Sequence, residues 1–243
     1  MKIVFYSSNS NIFDKENFFI TTLPSHFQKW KEFIKNHPED EFYFVTEQPG
    51  MFILDLPPQN QIDYKQLENE NIFIESSENI DSFVNKILSF EPDIAISMSF
   101  WVAPFDWLGI QDSLIAEKLE SNGIKVISHP AELNYNFFDK NKTKQILEKN
   151  GFLTPKGIYV NHDMYFCAGN RKEIKKNVYK DYILNQIKKL NFPLIAKDPF
   201  GLSSYGMQVL NTYGEVCNYL NSKKNNSDRI IEEMISGNQF GIE

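Results

Sequence analysis

Over the first 130 residues, short β-rich runs alternate with segments of helical periodicity, and this alternation narrows the possible topologies more than any other feature of the chain. The runs are KIVFYS (residues 2–7), EFYFVTE (41–47), NIFIES (71–76), PDIAISMSF (92–100) and IKVIS (124–128). Between several of them lie SHFQKWKEFIKNH, IDSFVNKILSF and IQDSLIAEKLESNG. Strands that alternate with amphipathic helices predict an open, mostly parallel α/β sheet. In the last of these helices Leu114, Ile115 and Leu119 share a face, Asp112 or Ser113 can cap the start, and Gly123 can end it in the left-handed conformation. Residues 1–130 therefore read as an N-terminal α/β domain.

Residues 131–243 follow a different pattern. A helix carrying Lys140 to Lys149 should stop at Asn150–Gly151, since Pro155 forbids its continuation. A β-like GIYV comes next, then the polar stretch NHDMYFCAGNRKEIKKN and a helix over VYKDYILNQIKKL (178–190). The strand FPLIAK leads through a Gly/Ser loop into the strand MQVL, then a helix over 213–222 and the strand RIIEEMI. The fold class is thus α/β in the first part and α+β in the second.

Composition limits the function. The chain has 243 residues, 42% of them apolar, enough to fill a core without staples. Its two cysteines, Cys167 and Cys217, have no metal-ligand spacing and read as incidental thiols of a reducing compartment. A formal charge of −7 argues against nucleic acid as the main partner. There is neither a leader-like apolar core at the start nor a membrane-length apolar run, so the expected location is the cytoplasm, away from the membrane. The four histidines are scattered without a zinc-ligand spacing and read as surface or strand-end residues. The aromatic stretch around Trp101, Phe105 and Trp107 reads as packing.

Three stretches of the second half carry chemistry. In FPLIAKDPFGLSSYGMQVL (192–210), Lys197 ends a strand and Gly201 and Gly206 bracket Ser203 and Ser204. Backbone N–H groups and two hydroxyls turned to one point, with a lysine beside them, suit an anion. In FFDKNKTK (137–144), Lys140 and Lys144 share a helix face, where like charges repel unless an anion or an acid offsets them. In RIIEEMISGNQF (229–240), a strand leads into a connector whose main chain can read a purine edge, with Met234 and Ile235 against the base.

Taken in order, these stretches resemble the ATP-grasp superfamily, and within it look most like the branch of D-alanine–D-alanine ligase. The matching residues are Asp139-Lys140 followed by NGFLTP, the strand and loop from Lys197 to Met207, and the hinge-like Ile231-Glu232 to Gln239. The resemblance implies a pre-ATP-grasp domain over 1–130 and, over 131–243, the N-terminal portion of the ATP-grasp domain with its phosphate-binding hairpin. By the same resemblance Lys140 and Lys197 would hold the α- and β-phosphates of ATP, and Ser203, Ser204 and Gly206 would close over the β/γ-phosphates. Glu232 and Glu233 would meet the adenine amino group, partly through main-chain carbonyls, and the Ile235 amide would donate to the ring. Gln239 stands where the family usually has a ribose-binding glutamate; a glutamine can still accept from and donate to a diol, so a weaker or altered ribose contact is expected.

The family's magnesium ligands, a Glu-x-Asn pair and an upstream Asp, would lie downstream of Glu243, so no catalytic or metal residue is assigned here. The expectation is a part of an ATP- and Mg²⁺-dependent carboxylate–amine ligase, inactive alone, that forms an amide or peptide bond through an acylphosphate. Its partners would be ATP and small-molecule carboxylate and amine substrates, amino acids among the candidates. The alternative is a non-catalytic nucleotide-binding module that acts on a partner protein. Ser128 and His129, after the last strand of the first domain, are further candidates for substrate contact, since open α/β sheets bind ligands outside the strand carboxyl ends.

Overall fold

A computed structural model describes residues 1–8, 26–48, 64–99, 108–167, 175–201, 206–238 and 240, and it divides into two compact units, Met1–Tyr135 and Asn136–Glu243. In the first unit, β1 (Lys2–Ser7), β2 (Glu41–Glu47), β3 (Ile72–Glu75), β4 (Ile94–Ser97) and β5 (Lys125–Ile127) form a parallel sheet in the order β3-β2-β1-β4-β5. Helices α1 (His26–Asn36), α2 (Tyr64–Asn69), α3 (Ile80–Leu88) and α4 (Gly109–Ser121) connect them. The central strand β1 shows why both faces are covered. Its Ile3 and Phe5 pack with Trp30, Phe42, Phe44 and Ile72, while Val4 and Tyr6 pack with Phe83, Val84, Ile87, Ile115 and Leu119. Alternate side chains of one strand thus enter two cores, and each large apolar side chain so buried contributes about 1.5–3 kcal/mol.

At the α3 start, the Asn79 side chain accepts from the Ser82 amide and Ser82 Oγ accepts from the Asn79 amide, a reciprocal cap. The strand order reverses between β1 and β4, and their carboxyl ends carry a buried polar net. Ser8 Oγ and Ser99 Oγ donate to Asp112 Oδ1 at 2.6 Å and 2.5 Å, and Tyr6 Oη donates to the Asp112 carbonyl at 3.2 Å.

Residues 131–137 form α5 (Ala131–Phe137), just after Ser128 and His129. Two other short helices escape the sequence pattern, α2 above and α7 (His162–Phe166) within the polar stretch after GIYV. Both are too short to show two full periods of amphipathicity.

The second unit is an antiparallel sheet in the order β6-β9-β7-β8, made of β6 (Gly157–Val160), β7 (Leu194–Lys197), β8 (Gln208–Leu210) and β9 (Arg229–Glu233). Helices α8 (Val178–Ile187) and α9 (Tyr213–Leu220), with α7, supply the core on one face: Tyr165, Ile183, Ile187, Val216, Tyr219 and Leu220 pack against Val160, Leu194, Ala196, Leu210 and Ile231. Cross-strand partners share a face, and Ile195 pairs with Glu232 and Val209 while Lys197 pairs with Ile230. The face away from the helical core therefore carries Ile195, Lys197, Val209, Ile230 and Glu232. Helix α6 (Lys140–Lys149) reaches that face, its start fixed by Asp139, whose carboxylate accepts from the amides of Asn141 at 2.8 Å and Lys142 at 3.2 Å. Among the described residues no helix is long and apolar enough to cross a membrane.

Candidate functional site

Three lysines meet the second sheet. Lys197 Nζ, at the end of β7, donates to Glu232 Oε1 on the adjacent strand β9. Lys144 Nζ, one turn along α6 from Lys140, stands 3.8 Å from the other oxygen of the same carboxylate and also donates to the Pro155 carbonyl. The Lys140 amide donates to the Pro199 carbonyl at 2.9 Å, and Lys140 Nζ to the Gly201 carbonyl at 2.5 Å, so the start of α6 is tied to the chain leaving β7. Stacked rings of Phe138 and Phe200, 5.3 Å between centroids, brace the same junction. The i, i+4 pair on α6 thus serves two parts of one structure: Lys140 the exit of β7, Lys144 the carboxylate that Lys197 also holds.

Glu232 is 7% exposed, and two ammonium groups against one buried carboxylate leave a local excess of positive charge. Unpaired, that carboxylate would carry a desolvation cost of several kcal/mol. Opposite it on β6 stands Gly157. A Cβ there would fall 2.6 Å from Glu232 Cβ and 2.7 Å from the Ile231 carbonyl, so only glycine lets β6 approach β9 at this point.

Strand periodicity separates the two glutamates of the sequence pattern. Glu233 faces the other side of the sheet, where its carboxylate accepts from the amide of Asn191 at 2.8 Å and from its side chain at 3.0 Å. The Glu233 amide donates to the Lys156 carbonyl at 2.8 Å, and the Met234 amide to the Pro193 carbonyl at 2.9 Å. Both carboxylates are thus engaged within the fold. Ile235 follows the strand and is 68% exposed. Gly206 lies at the entry to β8, while Ser203, Ser204, Gln239, Trp101, Phe105 and Trp107 lie outside the described residues. In the first unit, His129 is exposed and Ser128 hydrogen bonds the Tyr6 hydroxyl, whose burial raises its pKa to about 12. Cys167 and Cys217 are free thiols. No group of three or more His, Cys, Asp or Glu that could hold a metal ion comes together among the described residues.

The sequence pattern singled out Lys140, Lys197 and Glu232, the last as an adenine contact and not as the acid that joins Lys144 to Lys197. The signal was the i, i+4 spacing of Lys140 and Lys144, which calls for a counter-charge somewhere in the fold. The need for glycine at 157 had no such signal, because it depends on a strand more than seventy residues away.

Neither a family model nor a curated protein matches the chain. Solved structures do. The biotin carboxylase domain of the Hydrogenobacter thermophilus 2-oxoglutarate carboxylase, in complex with MgADP, ADP and bicarbonate, superposes with a TM-score of 0.50 at 15% identity, over 96% of this chain and 44% of that one. The ADP complex of the N5-carboxyaminoimidazole ribonucleotide synthetase purK gives 0.50 at 12% identity, over 96% and 47%. D-alanine–D-alanine ligase from Bacillus anthracis gives 0.46 at 19% identity, over 98% and 58%. The chain therefore shares the fold of the biotin carboxylase and purK structures, and it spans about half the length of the structures it matches.

Proposed function

We propose that this chain is the nucleotide-binding part of an ATP-dependent carboxylate–amine ligase. The observation that carries the reading is the delivery of Lys140, Lys144 and Lys197 to one face of the β6-β9-β7-β8 sheet, beside the chain that runs from β7 to β8. In this reading Lys140 and Lys197 meet the α- and β-phosphates, and Ser203, Ser204 and Gly206 cover the β/γ-phosphates. Each charge-assisted contact contributes about 1.5–3 kcal/mol, so three or more reach the roughly 8 kcal/mol of micromolar affinity. Adenine lies along the connector after β9, read by the main chain of Glu232, Glu233 and Ile235. The carboxylates of the two glutamates have other work: Glu232 holds Lys197 and Lys144 in place, and Glu233 fastens β9 to Asn191. Gln239 is proposed at the ribose.

The reaction follows from the poor electrophilicity of a free carboxylate. One carboxylate oxygen attacks the terminal phosphorus of ATP, the bond to the bridging oxygen breaks, and ADP leaves. An amine then adds to the acyl carbon of the resulting acylphosphate and inorganic phosphate departs, with loss of the amine proton. Excluding water protects that intermediate from hydrolysis. Mg²⁺ is proposed to accompany the nucleotide, where it would neutralise charge on the phosphates.

Phosphate release tests the proposal when the full-length ligase to which this chain is assigned is incubated with Mg-ATP and a panel of paired carboxylates and amines, amino acids included. Release that requires both an acid and an amine supports a ligase. Binding of ATP without turnover on any pair favours a nucleotide-binding module, and failure to bind ATP overturns both.

A further inference from the structure

Asp198 follows Lys197 directly, and its carboxylate lies between Arg229 and the position of Gly206 at the entry to β8. Arg229, which opens β9 and is 4% exposed, donates through Nη1 to Asp198 Oδ1. Its other hydrogen bonds go to the Tyr219 hydroxyl at 2.8 Å, the Lys224 carbonyl at 2.7 Å, Asn226 Oδ1 at 2.8 Å, the Asp228 carbonyl at 2.9 Å and Ser227 Oγ. Ser227 Oγ in turn donates to the same Asp198 oxygen at 3.0 Å. The second oxygen, Oδ2, lies near the entry to β8: a Cβ on Gly206 would sit 2.9 Å from it, and Gly206 has a φ of +76°. Five of the six partners of Arg229 lie between residues 219 and 228, so the guanidinium could be satisfied on its own turn. Asp198 is the one that comes from another strand, and it brings the end of β7 with it.

We propose that Asp198, held by Arg229, is a positioning residue for polyphosphate: it fixes the exit of β7 and the entry to β8, and thereby aims Lys197. Successive residues of a strand point to opposite faces, so holding Asp198 against Arg229 sets the direction of Lys197 toward Glu232 and α6. The inference rests on the nucleotide reading above, and it goes further by dividing the ligand. Contacts to phosphate depend on this clamp; contacts to the nucleoside, which rest on the connector after β9, do not.

Titration with Mg-ATP and, separately, with adenosine tests this in the wild type, in Asp198→Asn and in Ser227→Ala, which removes the second hydrogen bond to the same carboxylate. The expected result is about a tenfold weaker Kd for Mg-ATP in each variant, with the adenosine Kd changed by less than about twofold. Equal weakening of both ligands, or no change in either, overturns the positioning role while leaving the nucleotide reading intact. A wild type that binds neither ligand removes the nucleotide reading, and the positioning role falls with it. Because Asp198→Asn keeps the shape of the side chain and a hydrogen-bond acceptor for Arg229, it also separates loss of charge from loss of packing.

Discussion

Lys197 donates to the buried carboxylate of Glu232 from the neighbouring strand, and the two are directly coupled to Lys144 of helix α6, 3.8 Å from the same carboxylate. A buried anion that serves two cations is costly to remove, because both ammonium groups then stay where water reaches them poorly.

Glu232→Ala is therefore expected to lower stability by about 2–4 kcal/mol, and the double variant with Lys197→Ala by less than the sum of the two single losses. Urea denaturation of the four proteins measures the coupling, expected at about 1–3 kcal/mol; a coupling of zero would mean the pair does not hold these strands.

Two glycines should respond in opposite directions. Gly157→Ala forces a methyl group to 2.6 Å from Glu232 Cβ and against backbone of β9, and should cost about 2–4 kcal/mol with loss of the β6-β9 pairing. Gly214→Ala, in the first turn of α9, meets nothing nearer than Thr212 Oγ1 at 3.9 Å and should stabilise by about 0.5–1 kcal/mol. Thermal denaturation of both variants checks the contrast.

Glu47, at the end of β2, has its pKa raised above the ordinary 4.5, chiefly by burial, while hydrogen bonding from Ser77 opposes the shift. The folded chain therefore holds this proton more tightly than the unfolded chain, and stability is lost as pH rises from 4.5 through the folded pKa. Glu47→Gln removes that dependence. Its melting temperature should exceed that of the wild type at neutral pH, and the gain should vanish below pH 4.5. A gain that is constant with pH would contradict the assignment.

What could be read from the sequence was what repeats locally. The runs at 2–7 and 41–47 coincide with β1 and β2, and the lysine helix at 140–149 with α6, because period and capping residues were present. Helices α2 and α7 span only six and five residues and left no period to find. The candidate site was legible in its cations, since Lys140, Lys144 and Lys197 sit at recognisable helix and strand positions. Its anions were not. Whether Glu232 or Glu233 meets the lysines depends on which face of β9 each occupies, and that is set by pairing with β7, in a part of the chain thirty-odd residues earlier. Arg229 was equally hidden, since a charged residue opening a strand has no local reason to be buried.

The central claim is that cations from α6 and β7 serve the phosphates of one nucleotide, and calorimetric titration with Mg-ATP tests it most directly. The wild type is expected to bind with micromolar affinity, and Lys140→Ala and Lys197→Ala each to weaken binding about tenfold or more. Variants that remain folded and bind Mg-ATP as tightly as the wild type would contradict it.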